Sequence, residues 1–243
     1  MKISVITAVF NCRNYIEECV KSVNHQTFSD YEHLLLDDQS NDGSYKHLLK
    51  ITSGNSRVKI IKNSKKLYCG SAYNLLAQKA TGDIVAVLDA DDALTKEALS
   101  TLNDLYTKNP EVGYIWTQFW LCNSHLKKLK KGFSKHPGDE SLLDVGLRGG
   151  HFFSHWRTFR RSLLLQASVF KEGLKSAVDK YMGYTLEEIA IGGFADLPLY
   201  KYRLRFGGLS YTGRKNWKKI KEQFNEKRQK QNIKPLPIKV LSA

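Results

Sequence analysis

Three carboxylates stand together where an apolar run ends, in Leu88-Asp89-Ala90-Asp91-Asp92. Like charges this close repel, and a divalent cation with oxygen ligands is the usual remedy. If that cation also grips a diphosphate, the chemistry is transfer of a group from a nucleotide-activated donor. A second acidic stretch, Asp37-Asp38-Gln39-Ser40-Asn41-Asp42-Gly43-Ser44, follows the apolar run Leu34-Leu35-Leu36. Taken singly, each stretch has an ordinary role: Asp42-Gly43 makes a turn, and Asp91 or Asp92 caps the next helix. Two of them at equivalent places in one sheet are harder to explain that way.

The elements that must position these residues are legible in outline. Ile84 to Leu88 is short, β-branched and preceded by Gly82-Asp83, so it reads as a buried strand. Strands are also expected at Ile3 to Thr7, Glu32 to Leu36 and Val58 to Ile61. Between them fall helical patterns: Tyr15, Ile16, Cys19, Val20 and Val23 on one face, a helix through Leu48 and Leu49, and another from Ala72 to Ala80. Lys96 to Tyr106 gives one more helix. This alternation predicts a mostly parallel sheet covered on both faces, with ligands beyond the carboxyl ends of its strands. Both acidic stretches fall at that edge.

After Pro110 the pattern changes. Val112 to Trp120 reads as a longer strand near a sheet edge or antiparallel, Lys127 to Gly138 as a basic loop, and Tyr200 to Arg203 as a strand. Trp217, Ile220 and Phe224 recur at helical spacing among lysines, predicting an amphipathic basic helix. The last residues, with Pro235 and Pro237, read as an extended loose end.

A chain of 243 residues, 42% hydrophobic and 26% charged, is an ordinary globular sequence able to bury one good core. No apolar stretch approaches the ~20 residues that span a bilayer. The start, Met1 to Thr7, is strand-like rather than a signal peptide, so a cytoplasmic location is expected. Cys12, Cys19, Cys69 and Cys122 are scattered and read as reduced core thiols. The net charge is +14, and from Gly213 onward ten Lys and Arg face two Glu, a net +8. Such a tail attracts polyanions in general: nucleic acid, anionic lipid or acidic polysaccharide. Peripheral docking of the tail on the inner face of a membrane is one expectation, and packing on the main domain is the other.

The ordered set Thr7-Ala8-Val9-Phe10-Asn11, Leu36 to Ser44, Thr81-Gly82-Asp83 and Leu88 to Asp92 resembles the family 2 glycosyltransferases of the GT-A fold. Ser154 to Arg161 and the run ending Val178-Asp179-Lys180-Tyr181-Met182 are similar, more loosely, to bacterial chondroitin- and hyaluronan-polymerising domains and to capsule and lipopolysaccharide transferases. The resemblance implies a Rossmann-like α/β domain over 1–212, with a nucleotide-binding half at 1–110 and an acceptor-binding half at 111–212. The basic helix and tail at 213–243 would then be a small extension. It implies inverting transfer of a sugar, from a UDP-sugar, to a glycan or lipid-linked acceptor hydroxyl in surface polysaccharide synthesis.

The same resemblance implies residue roles. Thr7, Val9 and Asn11 would hold the nucleotide base, and Asp38 would accept from the uracil N3–H. Asp91 would contact ribose or metal, Asp92 would bind Mn²⁺ or Mg²⁺, and Asp89 would orient them. Asp179 would be the catalytic base. His151, His155 and Trp156 would face the acceptor. The chain departs from the family pattern in three places: Ala72-Tyr73-Asn74 lacks a basic residue, for which Lys65 or Lys66 would substitute; Arg205-Phe206-Gly207-Gly208 lacks a metal-binding histidine, for which a nearby Arg would compensate; and Tyr181 replaces an acidic residue. Arg157, Arg160 and Arg161 are read as binding diphosphate or as a solvated strand end. Two other functions are weighed: a GT-A-like protein that binds without catalysis, and a basic nucleic-acid-binding protein, which leaves the acidic stretches unexplained and is not expected.

Overall fold

The computed structural model describes residues 1–148, 152–167, 169–174, 176–205 and 214–242. The first half alternates as expected: β1 (Ile3–Val9), α1 (Ile16–Asn24), β2 (Tyr31–Asp37), α2 (Ser44–Ile51), β3 (Val58–Lys62), α3 (Tyr68–Lys79) and β4 (Ile84–Val87). A two-residue strand β5 (Ala93–Leu94) and α4 (Ala98–Lys108) follow. The second half holds β6 (Tyr114–Cys122), β7 (Lys128–Lys131), α5 (Leu142–Leu147), β8 (Arg157–Arg160), α6 (Arg161–Gln166), α7 (Val178–Leu186) and β9 (Gly192–Arg203). The chain closes with α8 (Arg214–Gln231) and β10 (Ile238–Leu241).

The strands form one sheet in the order β10-β9-β6-β8-β4-β1-β2-β3, with β5 on β9 and β7 on β6. β4-β1-β2-β3 pair in parallel, as do β6-β9-β10, and β8 runs antiparallel between the two groups. β6 therefore lies inside the sheet, not at its edge, and the antiparallel alternative is the one that holds, in its pairing with β8 and β7. Its residues Tyr114, Ile115, Trp116 and Phe119 are fully buried, and burial on both faces is what its aromatic content reflects.

One core packs α1, α2 and α4 on one face around Val5, Leu35, Leu99 and Leu102. The other packs α3, α6, α7 and α8 around Leu34, Leu76, Trp116 and Phe194. Every residue of β4 is completely buried, so each of its Ile and Val side chains contributes roughly 1.5–3 kcal/mol of apolar burial. Two glycines are demanded by geometry. Gly43 has φ +88°, which lets the chain turn into α2, and a Cβ on Gly70 would lie 2.3 Å from the Lys171 carbonyl oxygen.

The C-terminal region is part of this fold rather than an appendage. Ile220 and Phe224 of α8 are buried against α7, and β10 pairs with β9 from Ile238↔Gly192 to Leu241↔Ala195. The expected loose end is a strand, and the apolar face expected to dock on a membrane is turned inward. No helix among the described residues is long and apolar enough to cross a membrane. All four cysteines are free thiols.

Candidate active site

The carboxyl ends of β1, β2 and β4 converge on one rim. At the end of β1, Thr7 and Val9 are fully buried. The Thr7 hydroxyl is 3.0 Å from His33 Nε2 inside the core, so it faces away from the rim and is not free to meet a base. Val9 offers its carbonyl, which accepts from Asp38 N at 2.8 Å. Asn11, at φ 52°, stitches the two rim loops together: its N–H donates to Ser40 Oγ and its Oδ1 accepts from Asn41 N, both at 3.0 Å. Between them Phe10 is 49% exposed with the Lys66 ammonium over its ring, an aromatic platform that the sequence reading passed over.

Asp38 is buried and its oxygens are well occupied. Oδ1 accepts from Leu67 N at 2.7 Å and Asn63 Nδ2 at 3.3 Å; Oδ2 accepts from Tyr68 N at 2.9 Å and pairs with Lys66 Nζ at 3.3 Å. The carboxylate thus holds the loop that enters α3. A uracil N3–H could reach it only by displacing a donor, and Lys66, on its flexible stem, is the one able to move.

The three aspartates after β4 have three different settings. Asp89 accepts from Tyr73 Oη at 2.5 Å and from Arg157 at 3.2 Å, and lies 3.8 Å from His155 Nδ1. Asp91 pairs with Arg205, and its carbonyl accepts from Arg203 Nε at 2.6 Å. Asp92 accepts from Tyr200 Oη and from Arg203 N, both at 2.7 Å. Burial pushes the Asp89 carboxyl up, but Arg157, His155 and Tyr73 outweigh it and hold Asp89 below the usual carboxylate range. Burial, reinforced by the charges of Asp91 and Asp89, pushes Asp92 well above that range.

One oxygen each of Asp89 and Asp92 and one ring nitrogen of His155 lie within 4.8 Å of one another. Two carboxylates and an imidazole form a donor set suited to Mn²⁺, and the raised Asp92 marks the excess negative charge that a cation would relieve. The residues present therefore fit a divalent cation. The grouping differs from the expectation: His155 joins Asp92 where Asp91 was expected, because Arg205 neutralises Asp91. His155 is fixed between the Tyr200 and Tyr202 rings, with centroids 4.8 and 4.9 Å away.

Trp156 is fully buried in the core, so its face is closed to a sugar; His151 lies outside the described residues. Arg160 donates to the carbonyls of Val112, Tyr106 and Asn109 and secures the end of α4, so it neither binds diphosphate nor stands in solvent. Arg157 is buried beside Asp89, and the charges of Asp89 and Asp179 overcome its desolvation to raise its pKa.

Asp179, in the first turn of α7, lines a small hollow with Phe152, Phe153 and Tyr184. Its charge is felt by both Asp89 and Arg157, so it lies near the rim aspartates. Lys180 Nζ is 3.3 Å from the Asp179 carboxylate and 4.7 Å from the Trp217 ring centroid, and burial lowers its pKa to about 8. Tyr73, Arg157, Tyr200 and Arg203 were not singled out from sequence as partners of the aspartates. They come from three different elements, α3, β8 and β9, and no local spacing announces them.

Comparisons with known proteins bear on the family and the fold. The chain is 26% identical over 187 residues to a chondroitin synthase of Escherichia coli, covering 77% of this chain and 26% of that protein. It is 33% identical over 153 residues to an uncharacterized glycosyltransferase of Nostoc sp., covering 62% of this chain and 47% of that one. The chain thus spans about a quarter of the chondroitin synthase and about half of the Nostoc protein. Its fold matches S. aureus TarS residues 1–349 in complex with UDP-GlcNAc, with a TM-score of 0.76 at 20% identity, over 92% of this chain and 65% of that chain. It also matches a mannosyltransferase from Pyrobaculum calidifontis in complex with GDP-Man and Mn²⁺, with a TM-score of 0.62 at 17% identity, over 87% and 59% of the two chains. The family model for glycosyl transferase family 2 matches residues 4–166, most of the chain, and on that match the chain belongs to this family.

Proposed function

We propose that the chain is a divalent-metal-dependent, inverting glycosyltransferase that moves a sugar from a UDP-sugar to a hydroxyl of a glycan acceptor. The supporting observation is the clustering of Asp89, Asp92 and His155 at the sheet rim, with Asp179 near enough for its charge to act on Asp89 and Arg157. The TarS complex with UDP-GlcNAc and the chondroitin synthase resemblance favour a UDP-sugar and a polysaccharide product. Asp89, Asp92 and His155 would hold Mn²⁺ or Mg²⁺, which supplies charge neutralisation to a departing diphosphate.

The chain's own residues do the rest. Phe10 offers a face to the base, Asn11 shapes the loop beside it, and Asp38 with Lys66 fixes the neighbouring loop. Arg157 restrains Asp89. Asp179 accepts the proton of the acceptor hydroxyl as its oxygen attacks the anomeric carbon, while Lys180 orients the carboxylate. One base and one displacement invert the anomeric configuration. Asp179→Asn, which keeps the shape and removes the basic oxygen, is expected to lower metal-dependent transfer from UDP-GlcNAc by about 10²–10⁴-fold at unchanged UDP affinity. Equal transfer by wild type and variant would overturn the base assignment.

A further inference from the structure

β6, β7 and the end of β9 form a ribbon whose two faces differ. On one face Phe119 and Tyr202 pack around His155. On the other, Trp120 is in register with Lys131 on β7 and Lys201 on β9, and Cys122 is in register with Lys128. Trp120 with its cross-strand Lys131 and Lys201 makes one surface. The register of β6 and β7 shifts between Leu121 and Cys122, so Lys128 joins that surface through the Trp120 ring and not by plain alternation. Lys128 lies over the Trp120 ring at 4.6 Å, and both Lys128 and Lys201 act electrostatically on the Cys122 thiol. Trp120 is partly exposed, and Lys128 and Lys131 stand in solvent. Asp196 offsets one of these cations by pairing with Lys131 at 2.7 Å.

The surface leads toward the cleft. β6 and β9 run parallel to β4 across the antiparallel β8, so the Trp120 end of the ribbon is on the same rim as Asp89. The segment after β7 then turns back along Phe152: Lys135 N donates to the Phe152 carbonyl at 3.4 Å, and Lys135 Nζ lies 6.0 Å from the Phe152 ring. Phe152 lines the hollow that holds Asp179.

We propose that the face formed by Trp120, Lys128, Lys131 and Lys201, continued by Lys135 to Phe152, is a track for an anionic acceptor chain, a glycan carrying repeated carboxylates or phosphodiesters. The inference rests on the glycosyltransferase reading and adds the chemical class of the acceptor. An aromatic ring offers an apolar face to sugar CH groups, and lysines a few ångströms to either side meet charges repeated along a polymer. A neutral glycan would gain nothing from this row of cations.

The test is titration calorimetry of the full chain with a polygalacturonate oligomer, a glycerol-phosphate oligomer and a neutral dextran oligomer, with UDP affinity measured alongside. The wild type is expected to bind one or both anionic oligomers more tightly than dextran, and to lose affinity with added salt. The oligomer preferred tells carboxylate from phosphodiester. Lys128→Gln combined with Lys201→Gln is expected to weaken that binding about tenfold, the size that two near-surface charge contacts reach. Trp120→Ala should weaken it without altering the salt dependence. Undiminished anionic binding by the double variant, or equal affinity of the wild type for dextran, overturns the proposal. If the wild type binds no UDP, the donor reading fails and takes the acceptor with it; intact UDP affinity without preference for anionic oligomers overturns the track alone.

Discussion

A carboxylate at this rim is defined by what reaches it rather than by its place in a motif. Asp89, Asp91 and Asp92 are near neighbours in sequence, yet one meets Arg157 and Tyr73, one Arg205, and one Tyr200 with a backbone amide. The motif was legible; its partners were not, because they arrive from β8, α3 and β9. Thr7 illustrates the same limit: a motif gives position along the chain, whereas the direction of its hydroxyl depends on His33 across the sheet. His33 also makes a prediction at this scale. Burial lowers its pKa from 6.5 to about 3, so the folded state holds it neutral while the unfolded chain protonates below 6.5. A depressed folded pKa gives stability that is full above 6.5 and lost as pH falls toward 3. On going from about pH 6.5 to about pH 5 the loss from this one group is about 2 kcal/mol. His33→Gln should flatten the dependence of the urea midpoint on pH in that window; Glu32, whose carboxyl is held down to about 2, contributes only below 4.5. An unchanged slope in the variant would show that His33 is not the group responsible.

At the scale of elements, the first half was readable because each helix and strand carries its own periodicity and its own turn residues. The second half was less so. Helical spacing of Trp217, Ile220 and Phe224 reveals an apolar face but not what covers it, and here α7 does so. Pro235 and Pro237 marked a break correctly, yet β10 begins just after them, at Ile238. What anchors α8 is a buried ion pair: Arg228 reaches Glu187 at 2.7 Å, and Glu187 in turn accepts from the amides of Leu142 and Leu143 at 2.5 and 2.9 Å at the start of α5. Burial raises the Glu187 pKa, and Arg228 works against that rise. Removing one partner of such a pair leaves an uncompensated charge inside, so Arg228→Ala is expected to cost about 3–5 kcal/mol in denaturant unfolding. Adding Glu187→Gln to that variant should recover part of the loss. A cost below about 1 kcal/mol would mean that α8 is held by its apolar face alone.

For the whole molecule, the informative strand is β8, the antiparallel insertion between two parallel groups. It carries Arg157 from the second half of the chain to Asp89 of the first, with His155 just ahead of it. The cleft is therefore assembled from both halves, and α8 backs it where Trp217 meets Lys180. A donor bound across such a seam is bound by the native state alone and must stabilise the entire fold. At about 100 times its dissociation constant a ligand adds about 2.7 kcal/mol, which for a chain of this size raises Tm by about 5–10 °C. UDP with Mn²⁺ is expected to give that shift, and a chelator should remove most of it, because two of the three proposed cation ligands belong to the first half and the third, His155, to the second. Screening several UDP-sugars in the same melt then ranks donors. A shift with UDP that is identical in the presence of chelator would leave Asp89, Asp92 and His155 without a cation to hold, and the metal-dependent mechanism would fall while the fold and the family stood.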